Sequence, residues 1–152
     1  MEQKYCDMKN TLFLLLVMFF LLNPLNAQRE VFKVVEQMPR FPGCEDLPNN
    51  ERKACASEGL FRFIGKNLKY PPEARENGVT GKCIVQFTVG KKGRLEDIKL
   101  VRDIGAGCGE AALNVVKMMN DMPDPWIPGR QRGRAVKVKY TLPITFGMPK
   151  GK

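Results

Sequence analysis

Eleven residues near the C-terminus, Val136 to Phe146, alternate without a break. Val136, Val138, Tyr140, Leu142, Ile144 and Phe146 interleave with Lys137, Lys139, Thr141, Pro143 and Thr145. A period of two is that of a β-strand with one buried and one wet face. Any fold for this chain must therefore supply a sheet covered on one side only. Pro143 adds a second constraint, because proline cannot donate to a ladder and within a sheet belongs on an edge strand. This places Val136–Phe146 at an edge rather than in the centre. With Pro143 facing the open side, so do the backbone groups of Lys137, Lys139 and Thr141. Such a row is a template for strand addition by an extended peptide. The expected binding edge is thus Val136, Lys137, Val138, Lys139, Tyr140 and Thr141.

Upstream, the pattern predicts the elements that cover and extend this strand. Residues 30–37 read as a short strand, followed by the turn-rich stretch P-R-F-P-G-C-E-D-L-P-N-N. From about Glu51 to Lys69 the spacing is helical, with Leu60, Phe61, Ile64 and Leu68 on one face. Asn49, Asn50 or Ser57 could each cap it, and Tyr70-Pro71-Pro72 ends it, because residues before proline leave the helical region. Lys82 to Val89 alternates again, Gly90-Lys91-Lys92-Gly93 makes a turn, and Arg94 to Arg102 returns. The return strand puts Leu95 and Val101 on one face but Ile98 and Leu100 on the other, which a β-bulge would reconcile. The step Gly105 to Gly109 leads into a second helix, whose buried stripe is Ala112, Val115, Val116 and Met119 and whose limit is Pro123. Helix, two strands, helix, strand is an α+β order, two helices on one face of a small antiparallel sheet.

The N-terminus bears on compartment. Leu12 to Leu22 is an unbroken apolar run, shorter than the roughly 20 residues a spanning helix needs. It follows Lys4 and Lys9 and precedes Asn23, Pro24 and Ala27, the layout of a signal peptide cleaved near Ala27; a retained membrane anchor is the alternative. The division is then 1–27 signal segment, 28–40 lead, 41–147 folded domain and 148–152 tail. Removing residues 1–27 leaves the net charge at +9. In an exported chain that charge points to acidic envelope polymers or acidic protein segments rather than nucleic acid.

Four cysteines remain, Cys44, Cys55, Cys83 and Cys108, and an even number in an exported chain points to disulfides. Cys44 and Cys55 are nearest in sequence and flank the proline-rich loop, so they are expected to pair. Cys83 and Cys108 are left as either a second bridge or buried thiols. There is no histidine and no C-x-x-C, so zinc sites of the finger type are unsupported. Missing histidine also removes the commonest general base and every Ser-His or Cys-His nucleophile. Glu96 and Asp97 are neighbours on a strand and point to opposite faces. Gly105-x-Gly107-x-Gly109 lacks the spacing of a phosphate-cradling loop. No cofactor, metal or catalytic residue is expected. Trp126 is read as plugging the end of the core.

In order, these residues resemble the C-terminal domain of the TonB family. Y-P-P-E-A-R-E-N-G-V-T-G-K-C-I-V-Q-F-T-V supplies Tyr70, Pro71, Ala74 and Gly81, and the hairpin turn supplies Gly93. W-I-P-G-R-Q-R-G-R-A-V-K-V-K-Y-T-L-P-I-T-F is similar to the family's tryptophan-x-proline-glycine step, here Trp126, Pro128 and Gly129, and to its last strand ending in Phe146. Phe41-Pro42-Gly43 resembles the version common in the Bacteroidetes group. The resemblance implies two helices on an antiparallel sheet and a periplasmic role in TonB-dependent transport. There an inner-membrane proton-channel complex drives outer-membrane transporters, and the domain grips a short extended transporter segment, the TonB box. Only residues 28–40 separate the expected cleavage point from Phe41, too few for the long proline-rich arm of a full transducer. Two further readings remain beside the transport module, with a homodimer left open. One is an envelope interaction protein holding another protein or peptidoglycan, and the other is a thiol-active enzyme using Cys83 or Cys108.

Overall fold

The hairpin turn organises the sheet, and its geometry follows from its glycines. In the computed structural model, which describes residues 30–147, the amide of Gly90 donates to Arg94 at 2.8 Å and that of Gly93 to Gly90 at 2.9 Å. Gly93 has φ +79°, a region L side chains rarely adopt. The turn joins β2 (Gly81–Val89) to β3 (Leu95–Arg102). The expected bulge in β3 is present, and a second accompanies it: the register shifts between Ile84 and Val85 and between Gln86 and Thr88. Asp97 takes up one of these irregularities at φ +52°. The expected signal segment, residues 1–27, and the tail, residues 148–152, lie outside the described residues.

Strand β5 (Arg134–Phe146) pairs antiparallel with the whole of β2, from Gly81↔Phe146 to Val89↔Val138. On its other side lies β1 (Val31–Phe32), parallel, while β4 (Gly129–Gln131) pairs antiparallel with residues 134–136, ahead of the β2 ladder. The sheet order β1-β5-β2-β3, with β4 also on β5, corrects two expectations. The sheet carries one parallel pair, and β5 lies between β1 and β2 rather than at an edge throughout. β4 takes residues 134–136, β1 residues 137–138 and β2 everything from Val138 onward, so both flanks are filled at Val138.

Three helices accompany the strands: α1 (Asn49–Asn67), α2 (Pro72–Glu76) and α3 (Cys108–Met118), the last running into a 3-10 turn over Met119–Asp121. Helix α3 buries the expected Ala112, Val115 and Val116, with Met119 following. Helix α1 buries Ala56, Leu60 and Ile64, an i, i+4, i+8 stripe. Phe61 was expected in that stripe but is 65% exposed, while Phe63 packs on Phe41 at 5.7 Å. At 100° per residue, Phe61 sits past the edge of a stripe centred on Leu60 and Ile64. None of the three candidate caps is used: Pro48 holds the N-cap position and no side chain caps the helix. The chain leaves helical geometry at Leu68, ψ 117°. The two prolines then begin α2, Pro71 at the cap and Pro72 in the first turn, where a missing N–H costs nothing. The helices and β2, β3 and β5 close on one core around Phe87, Trp126, Val115 and Ile144.

Candidate partner-binding site

The expected family residues fall in two groups, and both hold the fold together. At one end, the Tyr70 hydroxyl donates to the Val79 carbonyl at 2.6 Å, and its ring tilts against Phe146 at 5.8 Å. Ala74 is fully buried beside them, and Gly81 opens β2 opposite Phe146. At the other end, Trp126 is 1% exposed. Its amide donates to the Gly93 carbonyl at 3.2 Å. Pro128 leads into Gly129, where a β-carbon would stand 2.5 Å from Val138 Cγ2. Phe41, Phe87 and Tyr140 meet the indole at 5.8, 5.5 and 5.3 Å, all edge-on or T-shaped. Trp126 Nε1 is buried without a hydrogen-bond partner among the described residues. The sequence reading of Trp126 as a core plug holds.

Strand β5 sorts its residues as its alternation requires. Val138, Leu142, Ile144 and Phe146 are buried toward the helices, while Thr141, Pro143 and Thr145 are exposed on the open face. Backbone groups alternate too, between the two flanks of the strand. Pro143 lies opposite Ile84 of β2. Having no N–H, it fits the ladder when its backbone faces away from β2, and its odd-numbered neighbours then do likewise. Lys137 and Val138 are occupied by Val31 and Phe32 of β1, and Val136 by Gly129 of β4. The expected binding edge is therefore already taken by β1 at Lys137 and Val138. A parallel ladder also draws on the residue flanking each pair, so the donor of Lys139 lies beside Phe32. Beyond it, no strand borders the outer flank of residues 139–146 among the described residues.

A groove of about 750 Å³ lies between the lead, residues 36–41, and the first half of α1, and it reaches β5 at Tyr140, within the free stretch. A disulfide joins Cys44 to Cys55 as expected, with Cα atoms 6.1 Å apart, and ties the two walls together. The lead is further stitched to the strand side by mutual amide-to-carbonyl bonds between Gln37 and Arg130 (3.1 and 2.8 Å) and between Arg40 and Ile127 (3.0 and 2.9 Å). The groove was not legible in the sequence, because a turn-dominated stretch separates its two walls, residues 36–41 and the first half of α1.

The free thiols lie elsewhere. Cys83 and Cys108 are both fully buried and unpaired. Burial pushes both thiols up, and the Asp103 carboxylate adds to this. Asp103 itself is held low by amide donors, first that of Gly105, with Ile104 beside it. Neither thiol has the exposed, electropositive setting that lowers a reactive cysteine's pKa. Among the described residues no group of three His, Cys, Asp or Glu could hold a metal ion, and no helix is long and apolar enough to cross a membrane.

No curated protein matches the chain significantly. Two solution structures of the TonB C-terminal domain of Helicobacter pylori are similar to it. One, of residues 194–285, is 24% identical, covers 62% of this chain and 96% of that one, and has a TM-score of 0.48. The other, of residues 179–285, is 20% identical, covers 70% and 89%, and has the same TM-score. The family model described as the Gram-negative bacterial TonB protein C-terminal matches residues 66–148. That stretch is more than half of the chain and holds β2, β3, α3, β4 and β5 entire; the chain belongs to this family.

Proposed function

We propose that this domain is a non-enzymatic binding module of the periplasm that serves TonB-dependent outer-membrane transport, gripping an extended transporter segment by strand addition. One observation carries the reading: among the described residues the outer flank of β5 beyond Val138 has no strand beside it. The bound segment lies along Lys139 to Thr145, meeting the carbonyls of Lys139, Thr141, Pro143 and Thr145 and the amides of Thr141 and Thr145. Roughly 20 Å of extended chain covers that row at about 3.3 Å per residue.

The other rim of the sheet, β3, is a poorer template. Its ladder is broken by two register shifts, and Asp97 turns left-handed within it. Bulges of this kind are a standard protection of sheet edges. Charge favours β5 too, since Lys139 stands beside its free row and discourages self-pairing.

Replacing Thr141 by proline tests the reading. Thr141 is exposed, and its backbone faces the free flank, so its pairing with Gln86 of β2 survives the loss of the amide. We expect folded Thr141→Pro to lose affinity, measured by fluorescence anisotropy, for peptides from the periplasmic N-termini of the host's outer-membrane transporters. Undiminished binding overturns the reading.

A further inference from the structure

The groove beside the free row has a chemistry of its own, and its walls, residues 36–41 and the first half of α1, lie upstream of residues 66–148 that match the family. Three cationic side chains line it: Arg40 from the lead, and Arg52 and Lys53 from α1. None has a carboxylate within 4 Å among the described residues, where Lys137 with Glu96 is the ion pair seen. The groove's one acidic residue, Glu36, is already engaged. Its carboxylate accepts from the amide of Arg132 at 3.0 Å and from the side chain of Gln131 at 3.3 Å. Between the cations the floor is apolar, made by buried Ala56 and Leu60 with Met38 and Phe41.

An extended segment paired to β5 sends alternate side chains to opposite faces of the sheet. One set lies over the open face near Lys139. The other set, on the face of Tyr140 and the helices, enters the groove. We infer that this groove is a specificity site which selects an acidic side chain, Asp or Glu, at groove-facing positions of the docked segment, with the Cys44–Cys55 bridge holding its two walls in register. Arg40 and Lys53 attract the carboxylate, and the floor takes an apolar side chain two residues away. Arg52 is partly committed, since its Nε donates to the Leu47 carbonyl at 2.6 Å.

This inference rests on strand addition to β5, and the test separates the two. The probe is an array of nine-residue peptides of alternating Thr and Val, in which each position in turn carries Glu, Gln or Lys. Binding is measured to the oxidised protein. At positions of one parity, Glu should exceed Gln roughly fivefold, the scale of unscreened but partly exposed ion pairs. The double variant Arg40→Gln, Lys53→Gln should remove that preference. Lys139→Gln should alter only the opposite parity. Reducing the disulfide should weaken the groove-side preference and spare the other. A groove-side preference that is absent, or that survives the double variant, overturns the inference; if Thr141→Pro still abolishes peptide binding, strand addition stands without it. Binding that ignores Thr141→Pro, or no binding of any peptide, overturns both.

Discussion

A β-carbon placed on Gly93 would stand 2.0 Å from the carbonyl oxygen of Trp126 and 3.0 Å from Pro125 Cβ. The hairpin turn and the tryptophan step are thus packed backbone to backbone, with the Trp126 amide bonded to the Gly93 carbonyl. Neither can retreat without uncovering the core around the indole. Gly93→Ala combines this collision with a positive φ, and we expect it to cost about 3 kcal/mol in urea unfolding. Gly133→Ala is the control. It has φ +72° but open space around it, so it should cost only about 1 kcal/mol.

Asn120 clasps the start of β3. Its side-chain amide donates to the Leu95 carbonyl at 3.0 Å, and its carbonyl accepts from the Leu95 amide at 2.8 Å. Leu95 is buried, so truncation strands two backbone groups away from water. Asn120→Ala should destabilise by about 2 kcal/mol, while Asn114→Ala, exposed on α3, should stay within about 0.5 kcal/mol.

The disulfide closes a separation of 11 residues. On the chain-entropy account, a loop of that order contributes about 3 kcal/mol. The variant Cys44→Ala, Cys55→Ala should lose up to that amount and still fold, because the sheet and α3 do not depend on the bridge. Peptide mapping without reduction should recover Cys44 linked to Cys55, with Cys83 and Cys108 alkylated only after unfolding.

Both buried thiols have pKa values raised above their unfolded values, chiefly by burial. Raised acid groups give stability that is complete below the unfolded pKa and is lost as pH climbs toward the folded one. Unfolding free energy should therefore fall above about pH 8.5, the ordinary thiol value. Cys83→Ala, Cys108→Ala should be less stable at pH 7 but should show a shallower decline between pH 8.5 and the onset of tyrosine and lysine titration.

What the sequence disclosed follows from period and punctuation. The alternation of β5, the glycine-bounded hairpin and the stripe of α3 each repeat one signal over several turns or residue pairs, and each formed where expected. Phe61 shows the weakness of a single position: beside Leu60 and Ile64 it reads as core, yet one step round the helix leaves it in solvent. Phe61→Ser should accordingly be almost neutral, whereas Phe63→Ala should cost about 2 kcal/mol. Pro71-Pro72 was read as an end and is also a beginning, because the same fixed φ that stops α1 starts α2. The placement of β5 failed in part for a different reason. Pro143 reports only on its own flank, and a thirteen-residue strand can be interior at Val138 and free at Thr141. Partners as short as β1 and β4 leave no periodic trace.

The two-residue contact of β1 with Lys137 and Val138 has a mechanical consequence. Because β1 runs parallel to β5, the lead meets that strand immediately upstream of its free row, on the same flank. On the proposed function, tension on the chain ahead of Val31 would reach the head of β5 through this ladder before it reached the bonds of Gln37 and Arg40 further along the lead. A segment lying along Lys139 to Thr145 would then be loaded lengthwise, its hydrogen bonds strained together in shear rather than peeled open singly.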